Sequence, residues 1–347
     1  MRCLTFAAAL AACGLATYSL PTLAQSASTL EASQVIEVQR GMNSAKPPVI
    51  TAVAILPGGG QVATAGDDHV VRIWSAENGR ILHTLSGHSD WVRGLTFSPD
   101  GSLLASAGDD HQVILWQVST GKHRATLPRH SDAVYSLAFS PDGLTLAVVG
   151  FGHNVTLFDA TNGRQIREMI GPGADLRSVV FSRDGKQLAV AGRSGQIRVW
   201  SMPAGTIQLE IAAGQGRLRT LAYLPDGETL VSAGDGRLIS LWDTRTGEEI
   251  RKFTCPSGKV LSMTVCGDSQ IATGGSDNVV RVWNWQTQTE TDRLIGHTGS
   301  VAALAFDRQS GLIISGSFDT TVRVWKLNAT DASPDTAAGT AQQSRVR

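Results

Sequence analysis

The chain lacks a surplus of charge of either sign, because 30 basic and 30 acidic side chains cancel. A partner held by neutralising phosphates needs a basic excess, so nucleic acid is not an expected ligand. Cysteine is scarce, with four in 347 residues, and two of these fall at Cys3 and Cys13. That leaves too few thiols for a disulfide scaffold. Long apolar runs are missing as well. The stretch Phe6 to Ala16 covers 11 residues, short of the roughly 20 that a spanning helix requires.

That run follows the positively charged Met1-Arg2 and precedes Thr22-Leu23-Ala24 ahead of Gln25. Charge, short apolar core and small residues in this order read as a secretory signal peptide over residues 1–24. The expectation is a chain exported to a periplasm or secreted. A competing reading takes Leu10-Ala11-Ala12-Cys13 as similar to a bacterial lipobox, which would anchor the chain to a membrane through Cys13. A cytoplasmic chain is the remaining alternative.

Aromatics make up only 6% of the residues, yet their placement is regular. Trp74, Trp116, Phe158, Trp200, Trp242, Trp283 and Trp325 are separated by 42, 42, 42, 42, 41 and 42 residues. A fixed period of this size means one supersecondary unit copied along the chain. In the second copy, Val92 to Phe97 leads into Ser98-Pro99-Asp100-Gly101. Leu103 to Ser106, Gly108-Asp109-Asp110, Val113 to Trp116 and a fourth segment near His123 to Leu127 follow. Short apolar runs divided by Pro-Asp-Gly and Thr-Gly turns are hairpin signals, and no stretch reads as a long helix.

This pattern resembles the WD-repeat family over residues 33–327. Gly87-His88 and Gly296-His297 match its Gly-His dipeptide, and Trp242-Asp243 is the one literal Trp-Asp pair. The resemblance implies an all-β, seven-bladed propeller of four-stranded antiparallel blades in a single domain, here of an exported, bacterial type. After Trp325 no apolar fourth strand remains, and the chain passes into a polar tail over 328–347 that reads as disordered. Gln34 to Gln39 is strand-like and lies ahead of the first inner strand, Ile50 to Ile55. It is expected to complete the last blade and close the ring, removing an exposed edge. In blade register Cys255 and Cys266 lie at opposite ends of an inner strand. Six residues of strand span roughly 20 Å and a disulfide needs Cα atoms within about 7 Å, so the two are not expected to pair.

His88, Ser106, Asp110 and Trp116 in blade two, and His297, Ser315, Asp319 and Trp325 in blade seven, contain the residue types of a catalytic triad. In the family this set is a buried hydrogen-bonded tetrad, and its recurrence favours the structural role. Blade three keeps His130 but has Val148, Gly152 and Phe158; blade four has Val190 and Ser194 before Trp200. Blade five has Gly236 in the Asp slot beside Ser232 and Trp242, and Lys46 and Pro256 occupy the His slot of blades one and six. Local opening is expected first in blades three and four.

Asp67-Asp68-His69 and Asp109-Asp110-His111 carry ligand-type side chains. They occupy equivalent turns in which Asp68 and Asp110 are tetrad acids, so no metal and no cofactor is expected. The inner strands, read as Ile50–Ile55, Val92–Phe97, Val134–Phe139, Leu176–Phe181, Leu218–Tyr223, Val260–Val265 and Val301–Phe306, contain no Asp, Glu, His or Cys. Acid–base or metal chemistry needs such groups to converge, so the chain is read as non-catalytic.

By resemblance, family members bind partners on the top rim. The corresponding turn residues here are Asp67, Asp109, Phe151, Arg193, Asp235, Ser276 and Phe318. Flanking the inner strands are Trp91, Arg93, Tyr135, Asp175, Arg177, Arg217, Arg219 and Lys259. Trp, Tyr and Arg dominate binding hot spots. The expectation is a monomeric ring acting as an interaction scaffold. An acidic protein or peptide would meet Arg177, Arg193, Arg217 and Arg219, with an apolar side chain against Trp91, Tyr135 or Phe151. The same arginines could instead be a solvated rim paired with Asp175 and Asp235. The alternatives to a scaffold are a propeller enzyme or small-ligand binder acting from a loop pocket, and a purely structural spacer.

Overall fold

A computed structural model describes residues 27–38, 46–214, 216–256 and 258–327. The segment read as a signal peptide, Cys13 and the polar tail from 328 onward lie outside the described residues. Seven sheets follow one another around a ring; five are built of four consecutive strands in spatial order from the inside outward, and the last two each take an outermost strand from the N-terminal segment. Blade one, for example, comprises Ile50–Ile55, Gln61–Gly66, Val70–Ser75 and Ile81–Ser86, all antiparallel.

Ring closure follows the expected route. Gln34–Glu37 pairs antiparallel with Thr321–Lys326, setting Gln34 opposite Val324 and Glu37 opposite Thr321. Ile36 and Val38 are buried with Val322, Val324 and Trp74 in the seam between blades seven and one. Sequence reasoning did not find a further strand, Ser28–Leu30, which lies parallel on Thr289–Leu294 and widens blade six to five strands.

The core is divided among the gaps between blades. One buried cluster joins Ile73 and Leu85 of blade one to Leu104, Ile114 and Trp116 of blade two, and six more clusters fill the other described gaps. A blade therefore has no complete core by itself, as is usual in repeat folds. Each second strand of blades one to five ends in glycine because the carbonyl of the residue just before the inner strand presses against it. A Cβ on Gly108 would stand 2.0 Å from the Trp91 carbonyl oxygen.

Two inner strands run one residue longer than the sequence suggested, as Val260–Cys266 and Val301–Asp307. Cys266 and Asp307 thus belong to strand ends. The Asp307 carboxylate accepts the amides of Gly58 at 3.1 Å and Ser310 at 2.8 Å, which ties the blade-seven turn to blade one. Cys255 and Cys266 are both buried and are not bridged to each other.

Candidate functional site

Each inner strand begins with the same irregularity. Its first residue pairs with the final glycine or serine of the second strand, the next is skipped, and pairing resumes at the third. The skipped residues are Thr51, Arg93, Tyr135, Arg177, Arg219, Leu261 and Ala302. A bulge bends the strand and re-aims the extra side chain. All seven line one cavity of about 400 Å³ in the top mouth of the channel, together with Phe318.

Around this mouth the expected rim residues come together in pairs. The Arg93 guanidinium donates to both Asp109 oxygens, with Nη2 at 2.6 Å, and stacks 4.6 Å from the Trp91 ring. Arg177 is held between two rings, 4.2 Å from the centroid of Tyr135 and 4.5 Å from that of Phe151, which meet edge to face. Asp175, in a left-handed conformation with φ 58°, lies 2.5 Å from Arg177 and 3.2 Å from Arg217. One carboxylate therefore serves guanidinium groups from two blades. Arg219 pairs with Asp235 at 2.5 Å. Burial pushes the Asp235 carboxyl up, but the Arg219 hydrogen bond and the charges of Arg219, Lys259 and Arg217 outweigh it and hold the group below its ordinary value.

Phe151 and Phe318 are 40% and 45% exposed, so both rings remain open to solvent. Arg193 and Lys259 are exposed and form no ion pair among the described residues. The Arg193 amide donates to the Asp175 carbonyl at 3.0 Å, which places the residue beside the Arg177–Asp175–Arg217 cluster.

The tetrad residues lie away from the channel. His88 Nδ1 stands 2.8 Å from Asp110, its Nε2 2.8 Å from Ser106 Oγ, and Trp116 Nε1 donates to that oxygen at 2.8 Å. Blade seven repeats the set at 2.8, 2.7 and 2.8 Å through His297, Asp319, Ser315 and Trp325. Burial lowers the His88 pKa, which keeps the ring neutral, with Asp110 opposing it. Burial would raise the Asp319 carboxyl, but hydrogen bonds from His297, Thr321 and the Thr298 amide prevail and hold it well below the carboxylate range. Ser106 and Ser315 are fully buried. No substrate carbonyl can approach either hydroxyl, so the triad-like composition does not produce a hydrolase site.

Sequence reasoning missed the residues that replace the absent histidines. Arg72 binds Asp68 at 2.7 Å in blade one, and Arg281 binds Asp277 and Glu290, each at 2.7 Å, in blade six. In blade four, which lacks both His and Asp, Arg198 donates to the Gly171 carbonyl at 3.0 Å. The signal was an Arg two positions before Trp74, Trp200 and Trp283 in blades without the histidine, although Arg323 holds the same position in blade seven, which keeps His297. Trp74 and Trp283 still donate to a hydroxyl, through Thr64 and Thr273. Blade three has no such repair, and the buried Nε2 of His130 has no hydrogen-bond partner among the described residues. No cluster of three or more metal-binding side chains occurs among the described residues. Asp67 accepts the Val49 amide at 2.9 Å, and His69 and His111 hold left-handed turns at φ 65° and 64°.

Comparison with known proteins agrees with this architecture. A family model described as the IFT122 first beta-propeller matches residues 49–225, and one described as WD domain, G-beta repeat, matches 208–243, 247–284 and 288–326. A periodic tryptophan protein 2 homolog of Neurospora crassa is 40% identical over 80 residues, covering 22% of this chain and 9% of that protein. A probable coatomer subunit beta' of Schizosaccharomyces pombe is 42% identical over 55 residues, 16% of this chain and 7% of its own length. A U3 snoRNP-associated protein-like chain of Arabidopsis thaliana is 32% identical over 74 residues, 21% and 15% of the respective chains. The chain thus spans only a small fraction of these curated relatives.

These relatives correct the reading of the N-terminus. All three come from eukaryotes, and two are named for the coatomer and the U3 snoRNP rather than for a bacterial envelope or secretion, which overturns the periplasmic or secreted placement and the bacterial, exported qualifier.

Proposed function

We propose, for a chain that belongs to the WD-repeat β-propeller family, that it is a non-catalytic scaffold whose top face grips a protein or peptide. The observation that carries this reading is the bulged inner-strand start, which turns Arg93, Tyr135, Arg177 and Arg219 into one cavity mouth. Bulges of this kind aim side chains at a ligand, and a rim of aromatic and guanidinium groups has hot-spot composition. Two relatives are named as parts of assemblies, a coatomer subunit and a snoRNP-associated protein.

The rim divides by chemistry. Phe318, Trp91, Tyr135 and Phe151 supply an apolar arc over blades seven, two and three. Arg177 and Arg217 share one carboxylate, and Arg193 and Lys259 form no ion pair among the described residues, so blades four to six carry spare positive charge. A partner with an apolar side chain flanked by carboxylates fits this division. Its acids would meet Arg193 and Arg217 without breaking the Arg93–Asp109 or Arg219–Asp235 pairs.

The test uses the exposed Phe151 and Arg193, whose replacement leaves the core intact. Immobilised wild-type chain is compared with Phe151→Ser and Arg193→Glu for capture from an extract of the source cells, and captured proteins are then titrated individually. A protein held by the wild type and lost by both variants supports the top-face scaffold. Equal retention by all three forms would dismiss this face.

A further inference from the structure

At the opposite mouth of the channel, polar side chains stand at three repeat positions that are apolar or glycine in the other blades, and all three line one cavity. Where the turn after the inner strand has Pro57, Pro99, Pro141 and Pro225, blade four has Arg183 and blade seven has Arg308. At the last inner-strand position, blades two, three, four and seven have Phe97, Phe139, Phe181 and Phe306, whereas blade five has Tyr223. Arg183, Arg308 and Tyr223 are walls of a cavity of about 500 Å³, within the range of small-molecule sites. Its remaining surface is mainly apolar, with Phe181, Met263 and Val265 prominent.

Packing does not account for these departures. The phenyl rings at equivalent positions fill the same inter-blade space, so the Tyr223 hydroxyl adds nothing to the core. That hydroxyl is buried and has no hydrogen-bond partner among the described residues, so its desolvation is left uncompensated. Arg183 is exposed and forms no ion pair among the described residues, while Arg308 is paired with Asp268. A guanidinium outside any ion pair and a hydroxyl without a hydrogen-bond partner among the described residues therefore line the same largely apolar cavity.

We propose that this lower mouth binds an aliphatic carboxylate, with the chain against Phe181, Met263 and Val265 and the head group accepting from Arg183 and the Tyr223 hydroxyl. Arg–carboxylate hydrogen bonds are charge-assisted and supply the orientation, and burial of the alkyl chain supplies the affinity. The inference is independent of the top-face reading, because the two mouths lie at opposite ends of the inner strands.

The experiment titrates decanoate, below its micelle-forming concentration, into the whole chain by calorimetry, with decanol as the neutral control. The variants Arg183→Pro and Tyr223→Phe restore what the repeat has elsewhere, and a melting curve checks that each folds. The expected result is saturable decanoate binding by the wild type, at least tenfold weaker in both variants and at least tenfold weaker for decanol. Absence of saturable binding, equal affinity in the folded variants, or decanol binding as well as decanoate would overturn the proposal.

Discussion

The guanidinium of Arg72 lies 2.7 Å from the carboxylate of Asp68, with the side chains 8% and 7% exposed. Asp68 occupies the position that Asp110 holds in blade two, where His88 is its partner at 2.8 Å. An arginine from the third strand thus takes over the acid that a missing histidine leaves behind. Arg281 and Asp277 repeat the substitution in blade six.

Breaking this pair should be costly. Arg72→Ala leaves a buried carboxylate without its cation and is expected to destabilise the ring by about 3 kcal/mol. The double variant Arg72→Leu/Asp68→Leu should lose less than Arg72→Ala, because no buried charge is left alone. Denaturant midpoints of the two variants check this ordering.

The two histidines of blades two and three should respond in opposite ways. His88 makes hydrogen bonds at both ring nitrogens, so His88→Phe is expected to cost about 2–4 kcal/mol through the orphaned Asp110 and Ser106. His130 has an unpartnered Nε2 and packs edge to face on Phe158 at 5.5 Å. His130→Phe should therefore be neutral or stabilising, and a lower melting temperature for it would contradict this account.

Acid should weaken the fold through the same residue. Burial lowers the His130 pKa from 6.5 to about 4, with His111 adding to the shift. The unfolded chain then binds the extra proton first, so the contribution is intact above about pH 6.5 and declines as the pH falls toward 4. Stability measured between pH 7 and 4 should fall less steeply in His130→Phe than in the wild type. Identical slopes would remove His130 from the acid response.

Removal of the closing strand should open the ring. Deleting residues 33–38 withdraws Ile36 and Val38, 3% and 2% exposed, and their burial alone is worth roughly 3–6 kcal/mol. It also bares the edge of Thr321–Lys326 to other chains. The expected outcome is a lower melting temperature with association seen by size exclusion; an unchanged melting curve would show that closure contributes little.

Much of the architecture was legible in the chain. The 42-residue spacing of the aromatics, the turn residues and the missing final strand are local properties, and they led to the blade count and to closure by Gln34–Glu37. Complete tetrads could be read for the same reason, since His88, Ser106, Asp110 and Trp116 belong to one repeat and its preceding loop. The N-terminal reading failed where it rested on a pattern with no repeat to check it against.

The sequence by itself determined the number of blades, the order of strands and the residue types available to the rim. Only the tertiary structure decided which of those residues meet. Arg177 stacks on two rings from the preceding blade, and Asp175 serves arginines of its own and the following blade. Arg183, Tyr223 and Arg308 share one cavity although 125 positions separate the first from the last. Periodicity is written along the chain because each blade must bury its own faces. Long polar side chains choose partners across the gaps between blades, and those neighbours exist only once the ring has closed.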